Sequence, residues 1–288
     1  MSCFGRAKAG CAAAAASKLE ETMMGSIRFD HVDKVFGPNT GGVKALDDIN
    51  LEIGEKEFVA IVGPSGCGKT TCLRMVAGFE APSAGVVSVS GKPVTAPGPD
   101  RAVVFQQFAL FPWKTVRENI ELGLRNKNLP AGKRADLVAG ALKLMNLESH
   151  AAAFPHQLSG GMQQRVAIAR AYVLDPDVLL MDEPFGALDA QTRVVMQEEL
   201  VRLARVNPRT VLFITHAVEE AVYLADRVAI MTRRPGRIKE VLDIRAIRQA
   251  ENWDKHQRIE DVMDLESFVH LRTQIWKSLR EEKGANVT

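Results

Sequence analysis

Two hydrophobic periods alternate along most of this chain. Ile27, Phe29 and Val32 begin an alternating strand pattern, and a loop marked by Pro38, Asn39, Gly41 and Gly42 follows. Leu46, Ile49, Leu51 and Ile53 then give a second half-buried strand, turned by Gly54 and Glu55. Phe58–Val62 is apolar without a break, the pattern of a strand covered on both faces, and residues 178–181, 211–215 and 228–231 repeat it. Between these runs the period lengthens. Residues 71–77 (stopped by Gly78), 162–174, 194–203 and 218–224 read as helices. Residues 114–172 are expected to be mainly helical, with Leu137, Leu142, Leu144 and Leu147 at helical spacing. Residues 253–282 predict one or two amphipathic helices, with Ile259, Val262, Leu265, Phe268, Ile275 and Leu279 on one side. Strands alternating with helices predict an α/β fold with a parallel sheet covered by helices.

The first buried run leads directly into Gly63-Pro64-Ser65-Gly66-Cys67-Gly68-Lys69-Thr70-Thr71. This segment fits the phosphate-loop pattern G-x-x-x-x-G-K-[ST], in its required place between strand and helix. Each residue type has a task. Glycines let backbone N–H groups approach phosphates closely, and successive N–H groups at a helix start form an anion nest. Lys69 supplies a cation for the β- and γ-phosphates, and the Thr70 hydroxyl a ligand for Mg²⁺. ATP and Mg²⁺ are the implied ligands. Cys67 lies within the loop, so its alkylation is expected to block hydrolysis and bound ATP to protect it.

The second buried run, at 178–181, ends on Asp182 and Glu183. A buried parallel strand carries such acids to the C-terminal edge of its sheet, where ligands bind in open α/β folds. Asp182 is the candidate Mg²⁺ ligand, directly or through water. Glu183 is the candidate general base that polarises the attacking water.

Leu158-Ser159-Gly160-Gly161-Met162-Gln163-Gln164-Arg165 closely resembles the LSGGQ signature of ABC ATPases, with Met162 the one departure from it. In physical terms, Ser159 and the glycine N–H groups at a helix start form a second anion site. The resemblance covers about residues 26–240. It implies a RecA-like P-loop NTPase core with an antiparallel β subdomain and a helical subdomain at about 107–172. It also implies a head-to-tail homodimer, in which Ser159, Gly160 and Gly161 of one copy close over ATP held by Lys69 of the other.

Other positions match the family one by one. Gln106 resembles the Q-loop glutamine near Mg²⁺ and the attacking water, with Gln107 adjacent. Residues 186–189, ending in Asp189, resemble the D-loop. His216, after Thr215, resembles the switch histidine at the γ-phosphate. Phe36 sits where an aromatic stacks on adenine; ordinary packing at a strand end is the alternative. Phe111-Pro112-Trp113, residues 183–190 and residues 215–221 are similar to the ATPase subunits of nitrate, taurine, aliphatic sulfonate and bicarbonate importers. By that resemblance the chain energises uptake of a small anion through separate integral membrane permease subunits. A periplasmic or extracellular solute-binding protein would take part indirectly, and the chain would sit peripherally on the cytoplasmic face of the bacterial inner membrane. Phe108 to Trp113 is an apolar loop that would receive the membrane partner. A soluble ABC ATPase without a membrane partner is the alternative.

Composition narrows this further. A net charge of +2 gives no electrostatic support for nucleic acid as a partner. No apolar stretch is long enough to span a bilayer. Cys3, Cys11, Cys67 and Cys72 fit no zinc spacing and read as free thiols of a reducing compartment. Residues 1–25, with a short alanine run at 12–16, are expected to be a disordered tail, and Met23 or Met24 an alternative start. Residues 241–288 are expected to form a C-terminal helical extension that packs on the core or extends the dimer contact.

Overall fold

In the computed structural model, residues 25–37, 41–256 and 258–284 are described. The expected N-terminal tail, Cys3, Cys11, Pro38 and Asn39 lie outside them. The alternating residues at the start pair as their period requires. β1 (Ile27–Phe36) runs antiparallel to β2 (Val43–Ile53), with Ile27 opposite Ile53 and Phe29 opposite Leu51, so the apolar positions share one face. β3 (Phe58–Val62) is buried throughout and feeds α1 (Lys69–Ala77), whose end is capped by Gly78 in the left-handed region. Three short strands follow that the hydrophobic pattern does not reveal: β4 (Ala84–Val89), β5 (Lys92–Pro93) and β6 (Arg101–Val104). Each buries only alternate residues or none, so none carries a continuous apolar run.

The middle of the chain is less uniformly helical than its spacing suggests. Residues 107–115 form an irregular loop before α2 (Val116–Glu121), which starts on a capping box between Thr115 and Glu118. α3 (Ala131–Leu144) and α4 (Gly160–Tyr172) complete this region. On α3 the buried face is Val138, Ala141 and Leu142, so Leu137 faces solvent although it fits the spacing. Beyond it, β7 (Val178–Asp182), α5 (Ala190–Val206), β8 (Thr210–Ile214), α6 (Val218–Leu224), β9 (Arg227–Met231) and β10 (Ile238–Asp243) alternate. β10 straddles residue 240, so the helical C-terminus starts later than expected, at α7 (Arg245–Ala250), followed by α8 (Ile259–Met263) and α9 (Glu266–Gly284).

The strands form two sheets. One is antiparallel, in the order β2-β1-β4-β5. The other has the order β10-β9-β3-β8-β7-β6, parallel except for β10 at its edge. Successive side chains of a strand point to opposite faces, and the core divides accordingly. Ala60, Val62, Leu179, Met181 and Phe213 face the helices α2 and α4 to α6, together with Phe268 and Ile275 from α9. Val59, Ile61, Leu180, Leu212 and Ile214 face α1 and the antiparallel sheet, meeting Phe29 and Leu46. The C-terminal helices therefore pack on the core, with Ile259, Val262, Phe268 and Ile275 buried as predicted. Among the described residues no helix is long and apolar enough to cross a membrane.

Candidate functional site

Sheet order puts β3, β8 and β7 side by side. Their C-terminal ends carry the phosphate loop, Thr215-His216 and Asp182-Glu183, so residues far apart in sequence emerge along one edge. Gly66 and Gly68 have φ of 77° and 104°, which a side chain would strain. A Cβ at Gly68 would also meet Leu46 Cδ2 at 2.4 Å, so β2 packs against the loop from outside. Lys69 is buried, and its ammonium donates to the carbonyls of Gly63 at 2.8 Å and Pro64 at 3.2 Å. Thr71 follows it on the first turn of α1, while Ser65 is exposed on the loop.

The Thr70 hydroxyl donates to Asp182 Oδ1 at 3.1 Å. This contact joins two candidate metal ligands separated by 112 positions. Burial raises the Asp182 carboxyl above its ordinary range, the Thr70 hydrogen bond opposes that, and the neighbouring Glu183 charge adds to it. Such a carboxylate gains from a cation beside it. Both donors are hard oxygens, the chemistry Mg²⁺ takes.

Glu183 adopts a left-handed backbone, φ 46°, in the sharp turn that leaves β7. Its N–H donates to Ile214 O at 2.8 Å, which ties it to β8. Its carboxylate is 3.1 Å from His216 Nδ1. Strain of this kind persists only where the surroundings hold it, and here it aims the carboxylate along the sheet edge. The Gln106 amide lies near Gly186, where a Cβ would stand 3.2 Å from Nε2 and 3.4 Å from Glu183 O. The Q-loop candidate therefore neighbours the turn that carries Glu183.

Sequence reasoning did not assign a role to the buried group behind His216. Thr215 donates to Glu220 at 2.6 Å and accepts from the Ala217 N–H at 3.0 Å. Glu220 is buried, with Arg193 Nε 3.9 Å away. Burial raises its carboxyl, while Thr215, Arg193 and His216 oppose the shift. The acidic pair 219–220 in the segment after His216 was visible, but only packing shows which of the two faces inward.

Ser159 caps α4, accepting from the Met162 N–H at 3.3 Å, and Asp189 caps α5, accepting from the Thr192 N–H at 3.0 Å and the Thr192 hydroxyl at 2.7 Å. Those bonds hold the Asp189 carboxyl below its usual range. The two helix starts touch: a Cβ at Gly161 would stand 2.4 Å from Thr192 Cγ2, and one at Gly160 3.5 Å from Leu188 Cδ2. The signature segment thus packs against the D-loop helix. Phe36 is partly exposed at the end of β1, with the Lys34 ammonium 4.9 Å from its ring centre. Cys67 sits inside the loop. It is 1% exposed, and burial raises its thiol although Lys69 opposes this, so it is poorly disposed to alkylation.

A phosphate nest, a hydroxyl–carboxylate pair and a histidine-linked carboxylate on one sheet edge define a nucleoside-triphosphate-hydrolysing protein of the phosphate-loop class. Comparison with known proteins narrows the class. Residues 46–186 match the family described as ABC transporter. The chain is 51% identical over 227 residues to an uncharacterised ABC transporter ATP-binding protein of Methanocaldococcus jannaschii, covering 79% of this chain and 85% of that one. It is 44% identical over 253 residues to the nitrate import ATP-binding protein of Synechococcus elongatus, covering 87% and 90%. It is similar, at TM-score 0.66 and 32% identity, to an ATP-binding cassette solved as a dimer in a post-hydrolysis state with ADP and phosphate, over 76% of this chain and 98% of that one. The chain belongs to the ABC transporter ATP-binding proteins and is the ATPase subunit of such a transporter.

Proposed function

We propose that this ATPase energises import of a small anion through separate membrane subunits, acting as a homodimer that closes around two ATP molecules. The Thr70–Asp182 contact at the start of α1, flanked by the Glu183–His216 pair, carries the catalytic part of this reading. In it, the loop amides from Gly63 to Thr71, with Pro64, Ser65 and Cys67 shaping the turn, cradle the phosphates, and Lys69 exchanges its loop carbonyls for them. Phe36 stacks on the base. Thr70, Asp182 and Gln106 would hold Mg²⁺, which supplies charge neutralisation at the phosphate oxygens. Glu183 accepts a proton from the attacking water, and His216 orients that carboxylate and meets the γ-phosphate. Ser159, Gly160, Gly161 and Asp189 act across the dimer, where the helix start at Ser159 offers N–H groups to the partner's nucleotide.

The catalytic unit in this reading is residues 26–240, and 241–288 is an extension. The importer reading is supported by the likeness to the nitrate import protein. It is also supported by a preformed groove of about 350 Å³ whose walls include Phe79, Phe105, Phe111, Arg101, Arg170 and Leu174. The buried Asn119 pins the adjoining loop through Phe111 N–H and O and the carbonyls of Lys114 and Thr115, while Arg170 holds the carbonyls of Phe108 and Ala109. Trp113 remains 70% exposed on this fixed loop, ready for a membrane subunit on the cytoplasmic face. A solute-binding protein would act through those subunits, and no nucleic acid is involved. The test is a Glu183→Gln variant in sizing chromatography. It is expected to dimerise with MgATP and to be monomeric with MgADP; a monomer at saturating MgATP would overturn the closure.

A further inference from the structure

At the opposite end of the core from the phosphate loop, the C-terminal segment closes over a cavity of about 280 Å³. Five cationic side chains line it (Lys56, Arg205, Arg209, Arg245 and Arg248) against a single lining carboxylate, Asp226. That carboxylate is already committed: it accepts from the Phe58 N–H at 2.9 Å and from Arg245 at 2.7 Å, with Arg248 at 3.7 Å. Arg209 is paired with Asp175 and Lys56 is 3.0 Å from Glu55, neither acid lining the cavity, and Arg205 also has a partner. The remaining wall is apolar and aromatic. Trp253 is buried, with the Arg248 guanidinium 6.0 Å from its ring, and Tyr223 and Ala204 lie in the same lining.

We propose that this cavity binds a small organic phosphate, a phosphate ester with a planar apolar body, and that its occupant regulates ATP turnover. Guanidinium forks match phosphate oxygens in pairs, and an excess of cations over lining carboxylates favours a dianion. The volume suits a small molecule. The regulatory part rests on the ATPase assignment and on the course of two helices. α5 (17 residues) starts at the Asp189 cap and, about 22–24 Å along its axis, delivers Ala204 and Arg205 to the cavity. α6 starts just after His216 and ends with Tyr223 and Leu224 in its wall. Arg248 ties that end down by donating to the carbonyls of Tyr223 and Ala225, each at 2.8 Å. An occupant bound by these arginines pins the far ends of both helices and resists movement of the loops at their starts.

The full-length protein, saturated with ADP to block the phosphate loop, is titrated calorimetrically with phenyl phosphate, inorganic phosphate and phenol. Phenyl phosphate is expected to bind below about 1 mM and more tightly than either fragment. Two variants probe the site. Arg209→Gln removes one of the lining cations, and Ala204→Trp fills the cavity without touching a charge. Each is expected to weaken binding about tenfold or more. At saturating MgATP, phenyl phosphate is expected to lower turnover several-fold in the wild type and to leave Ala204→Trp, whose basal turnover is intact, unaffected. No binding to the ADP-loaded protein, competition with ADP, or equal binding to Ala204→Trp would each overturn the site. Unchanged turnover at full occupancy would overturn the regulation. The ADP affinity measured in the same experiment reports separately on the ATPase assignment.

Discussion

Gly161 and Thr192 offer a sharp test of how the signature segment is built. Replacing Gly161 by alanine would put a Cβ 2.4 Å from Thr192 Cγ2, far inside contact distance. Thr192 cannot simply rotate away, because its hydroxyl is held by Asp189 at 2.7 Å and its N–H by the same carboxylate at 3.0 Å. Overpacking of this kind costs roughly 1–3 kcal/mol, and removing a glycine from a helix returns roughly 0.5–1 kcal/mol. The net expectation for Gly161→Ala is a loss of up to about 2.5 kcal/mol. Thr192→Ser deletes the offending methyl and keeps the hydroxyl cap. In that background the clash is gone and the helix gain remains, so Gly161→Ala should be neutral or stabilising by up to about 1 kcal/mol. Urea unfolding of the four proteins, without nucleotide, measures the change of sign as a double-mutant cycle. An equal effect of Gly161→Ala in both backgrounds would refute the claimed contact between the signature helix and the Asp189 cap.

Three further outcomes follow from the geometry. Cys67 should react slowly with iodoacetamide in the native protein and quickly in urea, because its thiol is buried and raised; rapid native labelling would show that the loop opens. Glu220 is held above the usual carboxylate range, so it is neutral in both folded and unfolded states at low pH and penalises folding once it must ionise. The stability of the wild type relative to Glu220→Gln should therefore be most favourable below about pH 4 and fall as pH rises through the raised value; a flat difference in pH-dependent unfolding would contradict this. Trp113→Ala should leave ATP hydrolysis by the isolated subunit within about twofold while impairing reconstituted transport, since Trp113 lies on the exposed loop and away from the phosphate site; normal transport would remove the docking role.

The sequence by itself determined the chemistry and the buried framework. The apolar runs at 58–62 and 178–181 had to be strands of a covered sheet, because an unbroken apolar run of that length leaves no face for water. Gly66 and Gly68 announced a turn that only glycine adopts easily, and the acids at 182 and 183 stood where such a strand must end. The half-buried strands β4, β6 and β10 stayed invisible, since at a sheet edge or within a mixed surface the apolar signal is diluted. Tertiary structure alone decided what meets what. Sheet order, unlike strand identity, depends on long-range pairing, and it set β3, β8 and β7 together so that Thr70 reaches Asp182 and Glu183 reaches His216. Packing chose Glu220 of an acidic pair for the interior and buried Cys67 beside the exposed Ser65 and Gly66. It also gathered arginines from α5, α7 and the segment between them into one cavity. Local sequence sets the preference of each segment, whereas the cost and gain of burial are settled only when distant segments share the same space.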